Sequence, residues 1–279
     1  MRIFIPSAGR SASENIQAGP VMDAPSDLRH MFTYVVPAAQ AHDYMTTLEN
    51  TGLFHQGVEV IPHNLTGIAP VRKFIGEFVH DCGNGNKFMM LDDDIRFIRR
   101  EDYNGTTLRK LEQGEFAAMV SLVSELLEDY GHVGISARQG NNRMGVGGPR
   151  ELVRENTRTM RALAYRATDF LKAQHCRIPV MEDFDTNLQL LRMGIPNANI
   201  GFYSQDQKMT NASGGCSEWR THEVHEASAM KLAAMHEGFV SLRQKQNKTD
   251  KDGFGTRTEV TIQWKKAYAS SNQTHSPAV

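Results

Sequence analysis

Residues Lys87 to Asp94 read KFMMLDDD, an apolar run that breaks at Leu91 into the consecutive carboxylates Asp92, Asp93 and Asp94. A run this short and this uniformly apolar predicts a strand buried on both faces, the kind that fills a parallel sheet covered by helices. Three adjacent carboxylates at the end of such a strand repel one another, and a divalent cation relieves the repulsion. Hard oxygen donors of this kind suit Mg²⁺ or Mn²⁺, which keep water and phosphate oxygens as their remaining ligands. One Asp here would be an ordinary cap for the next segment; three in a row favour a metal.

Upstream of this stretch, Arg2–Pro6 (RIFIP) and Phe32–Pro37 (FTYVVP) are β-branched and aromatic runs that each end at a proline, and Val58–Ile61 is a further strand. A helix is expected over His42–Asn50. Val71, Phe74, Ile75, Phe78 and Val79 recur at helical spacing, and Gly83-Asn84-Gly85 closes that helix. Downstream, the pattern predicts a helix over Gln113–Tyr130, a strand over His132–Ala137 and a loop over 139–149. A strand over Met160–Ala167 and a helix over Glu182–Met193, closed by Gly194, come next. The last elements are a strand at Asn199–Tyr203, a long helix over Glu223–Arg243 and a strand at Glu259–Trp264, with a frayed tail at 270–279. Alternating strands and helices imply one α/β domain with a mostly parallel central sheet flanked by helices. In such sheets ligands sit beyond the carboxyl ends of the strands, after Pro6, Pro37 and Leu91.

The composition fits a globular chain. In 279 residues, 31 Lys+Arg stand against 32 Asp+Glu, which excludes a strongly cationic nucleic-acid coat and a disordered polyelectrolyte. Three cysteines, Cys82, Cys176 and Cys216, form no C-x-x-C pair, so neither a disulfide framework nor a zinc ribbon is expected, and a reducing cytoplasm suits them. No apolar run approaches the ~20 residues of a membrane helix, and the apolar stretch at the amino terminus is too short for a signal peptide.

Several other groups can carry chemistry. Glu182-Asp183-Phe184-Asp185 offers carboxylates in a first helical turn, where the dipole stabilises them, and beside a metal one becomes a candidate general base. Ser7, Gly9 and Arg10 follow the first strand, and Gly67, Arg72 and Lys73 flank a helix start; small residues and guanidinium groups there suit anions. No P-loop or dinucleotide glycine pattern follows the first strand. His222 and His225 are three apart, one short of the zincin spacing, so they are read either as a late ligand to the aspartate-bound metal or as helix-surface histidines. Ser213-Gly214-Gly215-Cys216 is read either as a loop that closes over substrate or as a connector. Arg138 to Arg166 holds seven arginines against Glu151 and Glu155, and Ser241 to Lys266 seven basic residues against three acidic. Such patches on a neutral chain suit a polyanion; alternatively Arg154, Arg158 and Arg161 form a solvated helix face.

Taken together these residues resemble the GT-A glycosyltransferases, a Rossmann-like α/β family. The resemblance implies that Asp92 and Asp94 act as the D-x-D that holds a metal on the diphosphate of a nucleotide-sugar, a UDP-linked one being expected. It also implies that Asp93 lies in the donor site, that Glu182-Asp183 supplies the base with Asp185 as a further candidate, and that His222 or His225 completes the metal shell. Ile5-Pro6-Ser7-Ala8-Gly9-Arg10 and Ile68-Ala69-Pro70-Val71-Arg72 resemble the elements that line the nucleotide pocket. More specifically, IPSAGR, VVP, IAPVRKFI, LDDDI and VGISARQGNNR are similar to segments of the phage TET-associated glycosyltransferases. That likeness implies a 5-hydroxymethylpyrimidine acceptor in phage DNA, foremost 5-hydroxymethylcytosine, gripped by Arg138, Arg143, Gly214 and Gly215, and a host-cytoplasmic location. Residues 1–110 would form the donor half and 111–269 the acceptor half. A glycan or protein acceptor, or a metal-dependent nuclease, are the alternative expectations.

Overall fold

The computed structural model describes residues 1–83, 86–100, 107–112, 114–138, 148–207, 221–246 and 256–271. In chain order they form β1 (Arg2–Pro6), α1 (Ser13–Ala18), β2 (Phe32–Pro37), α2 (Ala41–Asn50), β3 (Glu59–His63), α3 (Ile68–Asp81), β4 (Lys87–Leu91), β5 (Ile95–Arg100) and β6 (Leu108–Lys110). Then follow α4 (Glu115–Asp129), β7 (His132–Ala137), β8 (Val153–Glu155), β9 (Ala162–Arg166), α5 (Ala167–Phe170), α6 (Glu182–Arg192) and β10 (Asn197–Gln207). The last elements are α7 (His222–Met235), β11 (Val240–Gln246), β12 (Thr256–Ile262) and α8 (Trp264–Ser271).

Ten strands form one sheet in the order β3-β2-β1-β4-β9-β7-β10-β5-β6, with β8 added against β10. Among them β1, β2, β3, β4, β6, β7 and β10 run one way and β5, β8 and β9 the other, so the expected mostly parallel α/β sheet is present with an antiparallel minority. The central strands are apolar on both faces for a visible reason. Ile3, Ile5, Met89 and Leu91 pack with Tyr44 and Leu48 of α2 and Phe116 to Leu127 of α4. Their alternates Phe4, Phe88 and Met90 pack on the other side with Val71, Ile75 and Val79 of α3 and with Phe170. A Cβ on Gly76 of α3 would lie 2.5 Å from the Phe170 ring, so only glycine allows that approach. No helix among the described residues is long and apolar enough to cross a membrane.

The expected Glu223–Arg243 helix is corrected: it stops at Met235, and Gly238 takes a left-handed φ of +81° before the chain turns into β11. Among the described residues β11 and β12 pair only with each other, and their root packs with α6, α7 and α8 in a third core around Leu188, Leu232, Val240 and Trp264. No helix spans Arg154 to Arg161 either; Val153–Glu155 is a strand on β10 and a loop follows. β5 belongs to no expected element, because its sequence IRFIRR alternates apolar with charged residues rather than forming an apolar run. The loop expected at 139–149 and the frayed tail lie largely outside the described residues.

His132, 1 % exposed, lies stacked on Tyr165 at 4.1 Å, its ring nitrogens facing the Ala164 carbonyl (2.8 Å) and the Thr159 hydroxyl (2.5 Å). Burial lowers its pKa to about 4, with the Ala164 carbonyl opposing. Because the folded pKa lies below the unfolded value of ~6.5, the neutral ring's contribution is complete above that pH and disappears as pH falls toward 4. A loss of about 3 kcal/mol across that interval is expected from this residue. In a urea titration series over pH, His132→Gln should flatten that part of the profile; an unchanged profile would contradict the assignment.

Candidate active site

The carboxyl edge of the sheet gathers the candidates. Asp92, Asp93 and Asp94 form the tight turn between β4 and β5; Arg72 takes the first carboxylate, and Arg10 is shared by the other two. Asp93 accepts hydrogen bonds from the Ser7 hydroxyl and from Arg10 Nη1, both in the segment after β1. Arg10 Nη1 also lies 3.0 Å from Asp94, whose Oδ2 accepts from Gln207 Nε2 at 2.9 Å, at the end of β10. Asp92 pairs with Arg72 Nη2 at 3.1 Å. Gly9, with φ +69°, turns the chain between Ser7 and Arg10, and its N–H donates to Gln40 Oε1 at 2.8 Å. Pro6 closes β1 beside Val35 of β2.

Arg72 stands in the first turns of α3 and joins the two acidic groups. Its Nη1 donates to Glu182 Oε1 at 2.5 Å while Nη2 holds Asp92. Its Nε is buried with no hydrogen-bond partner among the described residues. Desolvation raises the Glu182 carboxyl to about 7 and the Asp92 carboxyl to about 6 despite Arg72, and it raises Asp93 as well. The physical cause is shared: Asp92, Asp93, Asp94, Glu182 and Asp183 outnumber Arg10 and Arg72, and a low-dielectric site cannot hold the excess negative charge cheaply.

The three acidic residues opening α6 separate into different environments. Glu182 is committed to Arg72. Asp185 turns into the protein, where Arg177 donates two hydrogen bonds, His236 Nε2 lies at 2.8 Å and Gln189 Nε2 at 3.2 Å. Burial alone would raise the Asp185 carboxyl, but these donors hold it below its ordinary value. Asp185 lines the same small pocket as Glu182 and Asp183, with its oxygens held by donors that fasten α6 to the end of α7. Asp183 has no ion pair among the described residues; its Oδ1 accepts from the Phe184 N–H at 3.0 Å. With Arg72, Glu182, Ala69, Tyr165 and Thr186 it lines a small pocket.

Neither histidine joins the aspartate turn in the contacts present. His225 is buried against the Thr258 carbonyl of β12 at 3.1 Å, and His222 faces Glu226 at 3.9 Å on the surface of α7. Among the described residues no three His, Cys, Asp or Glu side chains converge as a metal cluster. Three-residue spacing on a helix places these rings on the α7–β12 packing and its rim. The donor set that remains, adjacent carboxylate oxygens with net negative charge, still fits a hard divalent cation, which needs one or two carboxylates when phosphates supply the rest. Arg138, at the end of β7, pairs with Asp206 at 2.7 Å, next to the Gln207 that holds Asp94. Arg143, Gly214 and Gly215 lie outside the described residues.

Two residues of this site carried no sequence signal. Tyr44 falls on the apolar stripe of α2, yet its hydroxyl lies 2.7 Å from Ser7 Oγ and accepts from the Arg10 N–H at 3.2 Å. Gln207 ends a strand whose buried Ser204 and Gln205 hide it from a hydrophobic pattern.

A family model described as TET-Associated Glycosyltransferase matches residues 1–215. No curated protein matches the chain. Among solved structures, a mannosyltransferase from Pyrobaculum calidifontis in complex with GDP-Man and Mn²⁺ is similar at TM-score 0.50 and 10% identity, over 83% of this chain and 61% of that one. S. aureus TarS 1-349 in complex with UDP-GlcNAc is similar at TM-score 0.44 and 12% identity, over 84% and 67%. The chain thus spans about three fifths of the mannosyltransferase it resembles, and at such identity that likeness speaks for the fold alone.

Proposed function

Because the chain belongs to the TET-associated glycosyltransferase family, we propose that it moves a sugar from a nucleotide-sugar to the hydroxyl of a 5-hydroxymethylpyrimidine in DNA. The observation that carries this is the pairing of the two acidic groups through Arg72, with Arg10 on the far side of the aspartate turn. One end of that array suits a diphosphate and the other a proton acceptor. The mannosyltransferase that shares the fold holds GDP-Man and Mn²⁺, which is in keeping with a nucleotide-sugar donor here.

Ser7, Arg10 and Arg72 would bind the donor's phosphates, and the unpartnered Arg72 Nε offers a further hydrogen bond to a phosphate oxygen. Asp94 and Asp92 would hold Mn²⁺ or Mg²⁺, which when bound neutralises charge on the diphosphate leaving group. Glu182 holds Arg72 in place, and that leaves Asp183 as the proton acceptor. In an inverting transfer the hydroxymethyl oxygen attacks the anomeric carbon as its proton passes to Asp183, and the bond from that carbon to the diphosphate oxygen breaks. A target base inside a duplex must be extruded to reach this point.

Asp183→Asn keeps the size of the side chain and removes the acceptor. Transfer to hydroxymethylated DNA, followed with a radiolabelled donor, should fall at least ~100-fold while donor affinity stays near wild type. A variant transferring at the wild-type rate would remove Asp183 from this role.

A further inference from the structure

The ribbon formed by β11 and β12 lies beyond residues 1–215 that the family model matches, and the chemistry above makes no use of it. Its register runs from Val240 opposite Ile262 to Gln246 opposite Thr256. Strand alternation divides the side chains between two faces. On the inner face Val240, Val260 and Ile262 join the third core, and Gln244 donates to the Thr258 hydroxyl at 2.9 Å above α7. On the outer face Ser241, Arg243 and Lys245 are exposed, with Ser241 opposite Thr261 and Arg243 opposite Glu259. Arg243 and Lys245 share the single carboxylate of Glu259, at 2.9 and 3.2 Å, so this face carries excess positive charge.

The ribbon is planted beside the candidate base. Trp264, just past β12, meets the ring of Phe184 edge-on at 5.7 Å, and Phe184 follows Asp183 in the chain. The Arg158 guanidinium lies 4.7 Å from that same ring. Among the described residues Arg158 has no carboxylate within ion-pair distance, and it feels the charge of both Asp183 and Glu259. Cationic side chains thus stand on the ribbon, at Arg243 and Lys245, and at its foot, where Arg158 covers the ring that follows Asp183.

We propose that this ribbon is the docking element for duplex DNA, with Arg243 and Lys245 against phosphates and Arg158 at its foot beside the target nucleotide. The proposal rests on the DNA-acceptor reading above and names the surface that serves it. A two-stranded ribbon is one of the few elements a major groove admits, and phosphate contacts by Arg and Lys fix register on a duplex.

The test is fluorescence anisotropy of a short, unmodified duplex from about 50 to 200 mM salt, with the wild-type chain, Arg243→Gln/Lys245→Gln and Glu259→Gln. Each phosphate contact contributes ~0.9 to the salt slope, so the double variant should lose about two and bind more weakly. Glu259→Gln frees both cations and should bind more tightly with a steeper slope. Opposite signs separate phosphate contact from simple damage to the ribbon, which would weaken binding in both. Wild-type binding and slope in the double variant would overturn the proposal, as would a wild-type chain that does not bind the duplex. That result would assign the charges to protecting an exposed edge strand. If the ribbon binds duplex as described but hydroxymethylated DNA accepts no sugar, the acceptor reading fails and the docking surface stands. If sugar is transferred equally well by the double variant, the reverse holds.

Discussion

Asp94→Ala should abolish sugar transfer, by roughly 10³-fold or more, since stabilising the charge on a leaving group is among the strongest effects an active site exerts. Asp94 immediately precedes β5, where that strand pairs with the end of β10, and is held by Arg10 and Gln207. It is 19 % exposed, so a ligand can reach it. Losing one carboxylate from a turn that already holds excess negative charge should cost little folding stability, because Arg10 keeps Asp93. The expected signature is therefore a dead enzyme with a near-normal melting temperature. Adding Mn²⁺ with a nucleoside diphosphate should raise the melting temperature of the wild type and not of the variant, since only a protein that binds is stabilised. Full transfer by Asp94→Ala would remove this residue from the chemistry.

Arg72→Met should unfold readily, for the opposite reason. Arg72 is 9 % exposed and serves both Asp92 and Glu182. Removing the shared partner of these carboxylates costs about 3–5 kcal/mol, because Glu182 above all, with its side chain 14 % exposed, is left without its ion-pair partner. Both carboxyls already have raised pKa values with Arg72 present, and without it they rise further. A carboxyl whose folded pKa is raised favours folding at low pH and loses that advantage as pH climbs through the folded value. The deficit of the variant should therefore be greatest above about pH 7 and shrink on acidification. Glu182→Gln added to Arg72→Met should recover part of the loss, a coupling that chemical denaturation can measure. An Arg72→Met variant as stable as wild type at pH 8 would contradict the buried pairing.

How much of this was legible in the residues depends on which physical signal each part carries. β1, β2, β4 and β7 are buried in continuous apolar runs and α3 along a stripe at helical spacing, so an apolar pattern finds them. β5 escapes because half of IRFIRR is charged, with Arg100 nonetheless buried and donating from Nε to the Gly201 carbonyl at 2.9 Å. β10 runs past Tyr203 to Gln207 through buried polar residues, and its register with β7 shifts between Ile200 and Ser204, which no single-strand pattern displays. The site shows the same division. The carboxylates of Asp92 to Asp94 and of Glu182 and Asp183 announced themselves by type and position at strand and helix ends. Their partners did not, because Arg72 reaches Glu182 across 110 residues of chain, a distance only the fold closes. Asp185 shows the same limit: in sequence it is one more acid at a helix start, and only the fold reveals that Arg177 and His236 hold it.

The most direct test of the account is mass spectrometry of nucleosides from hydroxymethylated DNA incubated with the full chain, Mn²⁺ and a panel of nucleotide-sugars. A sugar-sized mass increase on 5-hydroxymethylcytosine with one donor, and none on unmodified cytosine, is the predicted result. Unmodified nucleosides with every donor in the panel, from a chain that is folded and binds a nucleotide-sugar, would contradict it.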